Sequence, residues 1–301
     1  MKKHIVTGGA GFIGGHIVNK LLDSGDEVII VDNFSSGSSK ADPRAKVISL
    51  DIGERSSRLS LCEAMEGVDT VFHCAALARV QPSIENPQKY HKANVDGTLN
   101  ILLSARDSGV RRVVYSASSS AYGDQKSMPL NESMPTGPMS PYGLQKLIGE
   151  QYCSVFSICY GLETVSLRYF NVYGEGQVVG GAYSTAVGIF LKQKQEGSKL
   201  TVTNDGEQRR DFTYVGDVAE ANILASTSEK VGKGEVINIG KGKNYSMNEI
   251  ADIIGGEKEY IGDRLEPRET LADNSKAKEL LGWEPKVDIK DWLSSPTDSE
   301  T

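Results

Sequence analysis

Tyr142 and Lys146 close the segment Tyr142-Gly143-Leu144-Gln145-Lys146, and in a helix that spacing sets a phenol and an ammonium on one face, one turn apart. A free tyrosine, with a pKa of about 10, is a poor base at neutral pH; a cation beside it favours the phenolate and makes the pair a proton shuttle. The same spacing recurs in Tyr122-Gly123-Asp124-Gln125-Lys126, so the pattern alone does not choose. Context does. The Tyr122 match runs through Gly and Asp towards Pro129, whereas Tyr142 follows Ser140-Pro141, a helix start, and precedes an unbroken helical pattern to about Tyr160. The competing reading of Tyr142 and Lys146 is a solvated surface pair.

A second constellation opens the chain. Thr7-Gly8-Gly9-Ala10-Gly11-Phe12-Ile13-Gly14 follows the apolar run Ile5-Val6 and leads into Ile13, Ile17, Val18, Leu21 and Leu22 at helical spacing, which Gly25 stops. Glycines there permit a tight turn and close backbone approach to a pyrophosphate, whose charge rests on free N–H groups at the positive end of the helix. Asp32 lies directly after the second strand pattern, where a carboxylate accepts hydrogen bonds from adenosine ribose hydroxyls and repels a 2′-phosphate; NAD is favoured over NADP. Asp51 and Ile52, after the third strand pattern, are placed to flank the adenine.

The elements that must position these groups show in the rhythm of the first half, where Ile5-Val6, Val28 to Val31, Val47-Ile48, Val71-Phe72 and Val113-Val114 alternate with helical stretches. That rhythm predicts an α/β fold, a doubly wound parallel sheet of the Rossmann kind. Residues 1–176 are expected to form the NAD-binding domain, with later segments returning to it, 177–293 mainly a smaller α/β substrate lobe, and 294–301 a polar tail. Within the lobe the pattern predicts a Gly180-Gly181 turn, a helix through Phe190, a strand near Leu200 to Val202, and further pieces at Val236-Ile237 and from Lys276 to Leu281.

Composition narrows the class without choosing it. The 301 residues are 39% hydrophobic and 24% charged, an ordinary globular profile. A formal charge of −7 argues against a nucleic-acid surface. No secretory h-region and no apolar stretch of about 18 residues is present, so a cytoplasmic protein without a membrane span is expected. Cys62, Cys74, Cys153 and Cys159 form no metal or disulfide spacing and read as reduced, mostly buried thiols; no metal is expected, and the four histidines are isolated.

The Gly-x-x-Gly-x-x-Gly spacing and its Gly-Phe-Ile-Gly ending resemble the extended branch of the short-chain dehydrogenase/reductase superfamily, the NAD-dependent epimerase/dehydratase family, over nearly the whole chain. The resemblance implies NAD held by Gly8, Gly11, Phe12, Ile13, Gly14, Asp32, Asn33, Ser35, Ser36, Gly37, Asp51, Ile52, Ala75, Ala76, Asn94, Tyr142, Lys146 and Phe170. The serine-rich end of the fifth strand resembles the family's strand end before its tyrosine, and Ser118 falls on the catalytic position, where a hydroxyl bridges the sugar oxygen and Tyr142. Family 4,6-dehydratases carry Asp-Glu immediately after that residue, and decarboxylating relatives a Glu. Here those positions are Ser119 and Ser120, which equips the site for hydride removal and return only.

Leu167-Arg168-Tyr169-Phe170-Asn171 resembles the family's post-strand motif, which implies that the Phe170 backbone meets nicotinamide and Asn171 the phosphates of the nucleotide sugar. Arg209-Arg210-Asp211-Phe212 resembles the segment whose arginine clamps the diphosphate, which puts Arg210 in that role. A second arginine is expected before Ala272-Asp273: Arg264, with Arg268 as competitor, in a segment one residue shorter than the family pattern. Thr270 falls on the position that gates bulk near the sugar's C2 group. The chain thus resembles most the UDP-glucose and UDP-N-acetylglucosamine 4-epimerases. That resemblance implies 4-epimerisation of a UDP-hexose through a transient 4-keto sugar, in a homodimer formed through helices that include the one bearing Tyr142. The rivals are a sugar-nucleotide dehydrogenase or reductase with net redox, and a non-catalytic NAD-binding regulator.

Overall fold

The apolar runs become strands, with β-branched side chains buried on both faces except in the edge strand Lys46–Ser49, where Val47 is exposed. In a computed structural model, which describes residues 1–35, 41–177, 185–262 and 266–295, these are β1 (Lys3–Thr7), β2 (Glu27–Asp32), β3 (Lys46–Ser49), β4 (Thr70–His73), β5 (Arg112–Ser118) and β6 (Glu163–Tyr169). Helices α1 (Phe12–Asp23), α2 (Arg58–Ala64), α3 (Val80–Glu85), α4 (Pro87–His91), α5 (Gly97–Asp107) and α6 (Pro141–Tyr160) lie between them. Then follow β7 (Val172–Tyr173), α7 (Ala186–Gln195), β8 (Leu200–Thr203), β9 (Arg209–Asp211), β10 (Thr213–Tyr214), α8 (Val215–Thr227) and β11 (Lys233–Ile239). The chain continues with β12 (Asn244–Ser246), α9 (Met247–Ile254), β13 (Lys258–Ile261), α10 (Ser275–Leu281) and α11 (Ile289–Ser294).

Seven strands form one parallel sheet in the order β11-β6-β5-β4-β1-β2-β3. Alternate residues feed two cores, as a sheet covered on both faces requires. Ile5, Ile29, Val71 and Val113 pack with Ile101, Leu102, Cys153 and Phe156; Val6, Ile30, Phe72 and Val114 pack with Ile17, Val18, Val218 and Trp283. The chain order reverses between β1 and β4, and in such sheets ligands bind outside the carboxyl ends of the strands at that point. Gly8, Ala75 and Ser118 all sit at those ends.

Beyond residue 176, α8, β11 and Trp283 belong to the layers of this sheet, while Phe190, Leu200, Val202, Phe212, Tyr245 and Ile250 form a separate apolar cluster. The short ladders β7·β10, β8·β13 and β9·β12 complete that part. The expected turn at residues 180 and 181 and residues 296–301 of the expected tail lie outside the described residues. All four cysteines are free, but Cys159 is exposed rather than buried, because it falls on the outer face of α6. Among the described residues no helix is long and apolar enough to cross a membrane.

Candidate active site

The helix that carries Tyr142 and Lys146 begins where Ser140 Oγ accepts from Gly143 N at 3.1 Å, with Pro141 opening the first turn, and ends at Gly161 in the left-handed conformation. It lies hard against β5, and two glycines make that approach possible. A Cβ on Gly143 would fall 2.7 Å from Ser120 O, and one on Gly149 would fall 2.2 Å from Tyr115 Oη. Gly149→Ala should therefore lower stability by ~1–3 kcal/mol through overpacking, read from urea midpoints. Tyr115→Phe in the same chain should restore part of that loss, because it removes the nearest clashing atom.

This close contact places Lys146 Nζ 2.8 Å from Ser116 O of β5, to which it donates. Burial pushes the ammonium down from 10.5 to about 8. Burial pushes the Tyr142 phenol up, while the neighbouring Ser118 side chain and the charge of Arg79 pull it down. The expected lowering of Tyr142 by Lys146 does not appear in the protein alone: burial raises the phenol, and what pulls it back comes from Ser118 and Arg79. Ser118 is buried, and its hydroxyl also contacts Ser120 Oγ at 3.1 Å and Ser120 N at 3.2 Å.

The lysine shift has a measurable sign. Between pH about 8 and 10.5 the unfolded chain still holds the proton that folded Lys146 has shed, so this group's contribution to stability rises with pH across that window. Lys146→Met should flatten the rise in denaturant midpoint between those limits. An unaltered pH dependence would refute the shift.

The Tyr122 pair separates as context predicts. Tyr122 is buried, donates to Asn238 Oδ1 at 2.7 Å and lies 4.4 Å from the Arg168 guanidinium, whereas Lys126 is exposed. The phenol belongs to a small apolar cluster with Leu130, Phe170 and Ala272.

A dinucleotide fits the turn between β1 and α1. Gly8 has φ +67°, and a Cβ there would meet the Ala75 backbone at 2.8 Å; one on Gly14 would meet Gly8 O at 2.2 Å. No side chain caps the N-terminus of α1 at Gly11, so the first-turn N–H groups, including those of Phe12 and Ile13, are available to an anion. Asp32 accepts from Ala10 N at 3.1 Å and Phe34 N at 2.8 Å, which orients it beside this turn. Asn33 Oδ1 accepts from Ser35 N, while Ser36 and Gly37 lie outside the described residues. Asp51 Oδ1 accepts from Gly53 N at 2.9 Å, Ile52 is buried, and Ala75 N donates to Thr7 Oγ1 at 3.2 Å, with Ala76 next to it. Phe170 is wholly buried and its N–H goes to Ile239 O. Asn94 is buried with its amide engaged by Leu77 and Gln145, so it braces the loop after β4.

On the other side of β6 the candidate substrate groups gather around Asp211, which the motif reading passes over. Its carboxylate is buried and accepts from Lys241 N at 2.8 Å, Gly242 N at 2.9 Å and Ala272 N at 3.0 Å, uniting three backbone segments. Its carbonyl accepts from Asn171 Nδ2 at 2.9 Å, and its N–H donates to Thr270 Oγ1 at 3.4 Å. Arg210, nearly buried, donates through Nη2 to Glu266 Oε2 at 2.6 Å and through Nη1 to Arg209 O at 2.8 Å. Arg268 is instead held by Asp205 on the surface at 2.8 Å, which removes its guanidinium from Arg210's partners. Arg264 lies outside the described residues. The signal for Asp211 was its place beside Arg210, but its three amide partners are 30 and more residues away.

A sequence profile of the NAD dependent epimerase/dehydratase family matches residues 4–240. The chain belongs to this family. A Methanocaldococcus jannaschii protein is 40% identical over 297 residues, covering 96% of this chain and 95% of its own length. The Thermotoga maritima UDP-glucose 4-epimerase with UDP-glucose superposes with a TM-score of 0.91 at 36% identity, covering 97% of this chain and 96% of that one. The Methanobrevibacter ruminantium UDP-N-acetylglucosamine 4-epimerase, in complex with UDP-N-acetylmuramic acid, gives 0.90 at 34% identity with the same coverage. As a member of the NAD-dependent epimerase/dehydratase family, the chain takes NAD as its cofactor, and the glycine turn with Asp32 is the place whose shape and charge suit it.

Proposed function

We propose that this protein is an NAD-dependent 4-epimerase of a UDP-hexose, either UDP-glucose and UDP-galactose or their N-acetylated pair. The observation that carries the reading is the meeting of Tyr142, Ser118 and Lys146 at the end of β5, followed by a turn whose residues Ser119 and Ser120 bring hydroxyls and no carboxylate. When bound, NAD supplies the reversible hydride acceptor that carries the C4 carbinol through a 4-keto sugar and back. Tyr142 takes the proton of the C4 hydroxyl and returns it, Ser118 relays it and holds the sugar oxygen, and Lys146 sets the charge beside the phenol. Asn171 and Arg210 keep the diphosphate anchored while the sugar turns. Thr270, small and with its hydroxyl turned to the Asp211 backbone, admits an N-acetyl group at C2. The likeness to an N-acetylglucosamine-type epimerase supports that reading.

The test is incubation with a panel of UDP-, GDP- and dTDP-sugars and catalytic traces of NAD, with C4 epimers read by NMR. Stoichiometric accumulation of reduced cofactor would favour the dehydrogenase reading instead.

A homodimer working in the cytoplasm completes the proposal. Leu144, Ile148, Val155 and Ile158 run down the outer face of α6, and Ile158 is 76% exposed, an apolar stripe suited to the same stripe of a second copy. Ile158→Lys should convert the dimer to monomer in sedimentation velocity. An unchanged sedimentation coefficient would place the contact elsewhere.

A further inference from the structure

The loop after β4 and the helix bearing Tyr142 are joined by buried amide groups that none of the roles above requires. Asn94 lies in a π-helical turn, Lys92–Asp96, between α4 and α5, a local widening frequently found at functional positions. Only 1% exposed, it clasps the Leu77 backbone from both sides, accepting from Leu77 N at 2.8 Å and donating to Leu77 O at 3.0 Å. The same Nδ2 donates to Gln145 Oε1 at 3.0 Å. Gln145, 4% exposed, donates in turn to Pro87 O at 3.3 Å. It stands between Tyr142 and Lys146 in the chain, and Tyr142 N itself donates to the buried Ser83 Oγ at 3.1 Å.

From Asn94 the polar chain continues away from the helix. Thr98 Oγ1 donates to Asn94 O at 2.6 Å, His73 joins Thr98 at 2.9 Å and Thr7 at 2.8 Å, and Thr7 Oγ1 accepts from Ala75 N. Residues 75–83 are therefore fastened at one end beneath the glycine turn and at the other to the helix that carries the phenol. Both hydrogens and the oxygen of the Asn94 amide are used, and an amide so buried finds no water if the loop slides. Only one register of loop against helix satisfies every group.

We propose that Gln145 is a positioning residue: acting through Asn94, it keeps residues 75–83, the wall of the cofactor site, in register with Tyr142 and Lys146. The proposal rests on the reading of Tyr142 as the proton-transfer group. Gln145→Leu keeps the side chain's size and leaves Asn94 Nδ2 and Pro87 O without this partner. It should lower kcat ~10- to 100-fold, the scale of an ångström-sized misplacement, with KM for the UDP-sugar changed less than about threefold. Hydrogen exchange of the full chain without added cofactor supplies a second readout, in which the amides of Leu77 and Tyr142 should lose protection together while those of α7 and α9 keep theirs. Gln145→Glu, which retains the acceptor for Asn94, should fall between the native protein and the leucine variant in both measurements. Unchanged kcat, a rise confined to KM, a uniform loss of protection along the chain, or a glutamate variant no better than leucine would each overturn the proposal. Failure of the native protein to epimerise any sugar nucleotide would defeat the functional reading, while the exchange experiment would still judge the tie.

Discussion

Tyr142→Phe should lower kcat for the proposed epimerisation ~10²- to 10⁴-fold, the range a single positioned acid/base group supplies, while leaving the fold and UDP affinity near native. The variant removes one oxygen. The backbone N–H of residue 142 still reaches Ser83 Oγ, Lys146 still reaches Ser116 O, and Ser140 still caps the helix. Arg210 and Asn171 do not bond to the phenol, so a calorimetric Kd for UDP should move little. What would be lost is the group proposed to hold the C4 proton while the carbinol is oxidised and re-formed. Ser118 cannot replace it, because a buried serine hydroxyl engaged with Ser120 has no pKa near working pH. A Tyr142→Phe protein with kcat within about threefold of native would assign proton transfer to another residue.

Glu150→Gln should cost ~3–5 kcal/mol, the penalty for leaving one member of a buried ion pair without its partner. Glu150 lies one turn beyond Lys146 on α6, and Arg168 on β6 donates to both its oxygens, at 2.9 and 2.7 Å, with both side chains almost wholly buried. Burial pushes the Glu150 carboxyl up, and the guanidinium pulls against that rise. A domain's whole stability is about 5–15 kcal/mol, so the loss should appear as a large fall in urea midpoint. The double change Glu150→Leu with Arg168→Met should recover much of it, since an apolar pair removes both desolvation penalties. There is a second consequence. Glu150 raises Lys146, so in Glu150→Gln the ammonium should shed its proton at lower pH than in the native chain. A single substitution costing less than about 1 kcal/mol would show that the pair is open to water.

These two residues mark the boundary of what pattern can show. Tyr142 was accessible because its neighbours in sequence, Ser140, Pro141 and Lys146, are also its neighbours in space, through one cap and one helical turn. Asp32 and the glycines were accessible for the same reason: a tight turn and a strand end are short-range events. Glu150 was not, since nothing around it distinguishes it from a surface acid of a helix. Its partner arrives from the next strand, 18 residues on. Arg264 and Arg268 show the same limit, because two arginines four residues apart have equal local claims, and only Asp205 on a distant turn draws Arg268 outward.

By itself the sequence determined the alternation of strands and helices, the nucleotide turn, the phenol–ammonium spacing and the want of a carboxylate after Ser118, all consequences of backbone periodicity acting over a few residues. Tertiary structure alone decided which polar groups became buried and with whom: Asp211 with three remote amides, Arg168 with Glu150, Gln145 with Asn94. The reason is that desolvation depends on every element packed around a group. Those elements come from chain segments that no local period connects.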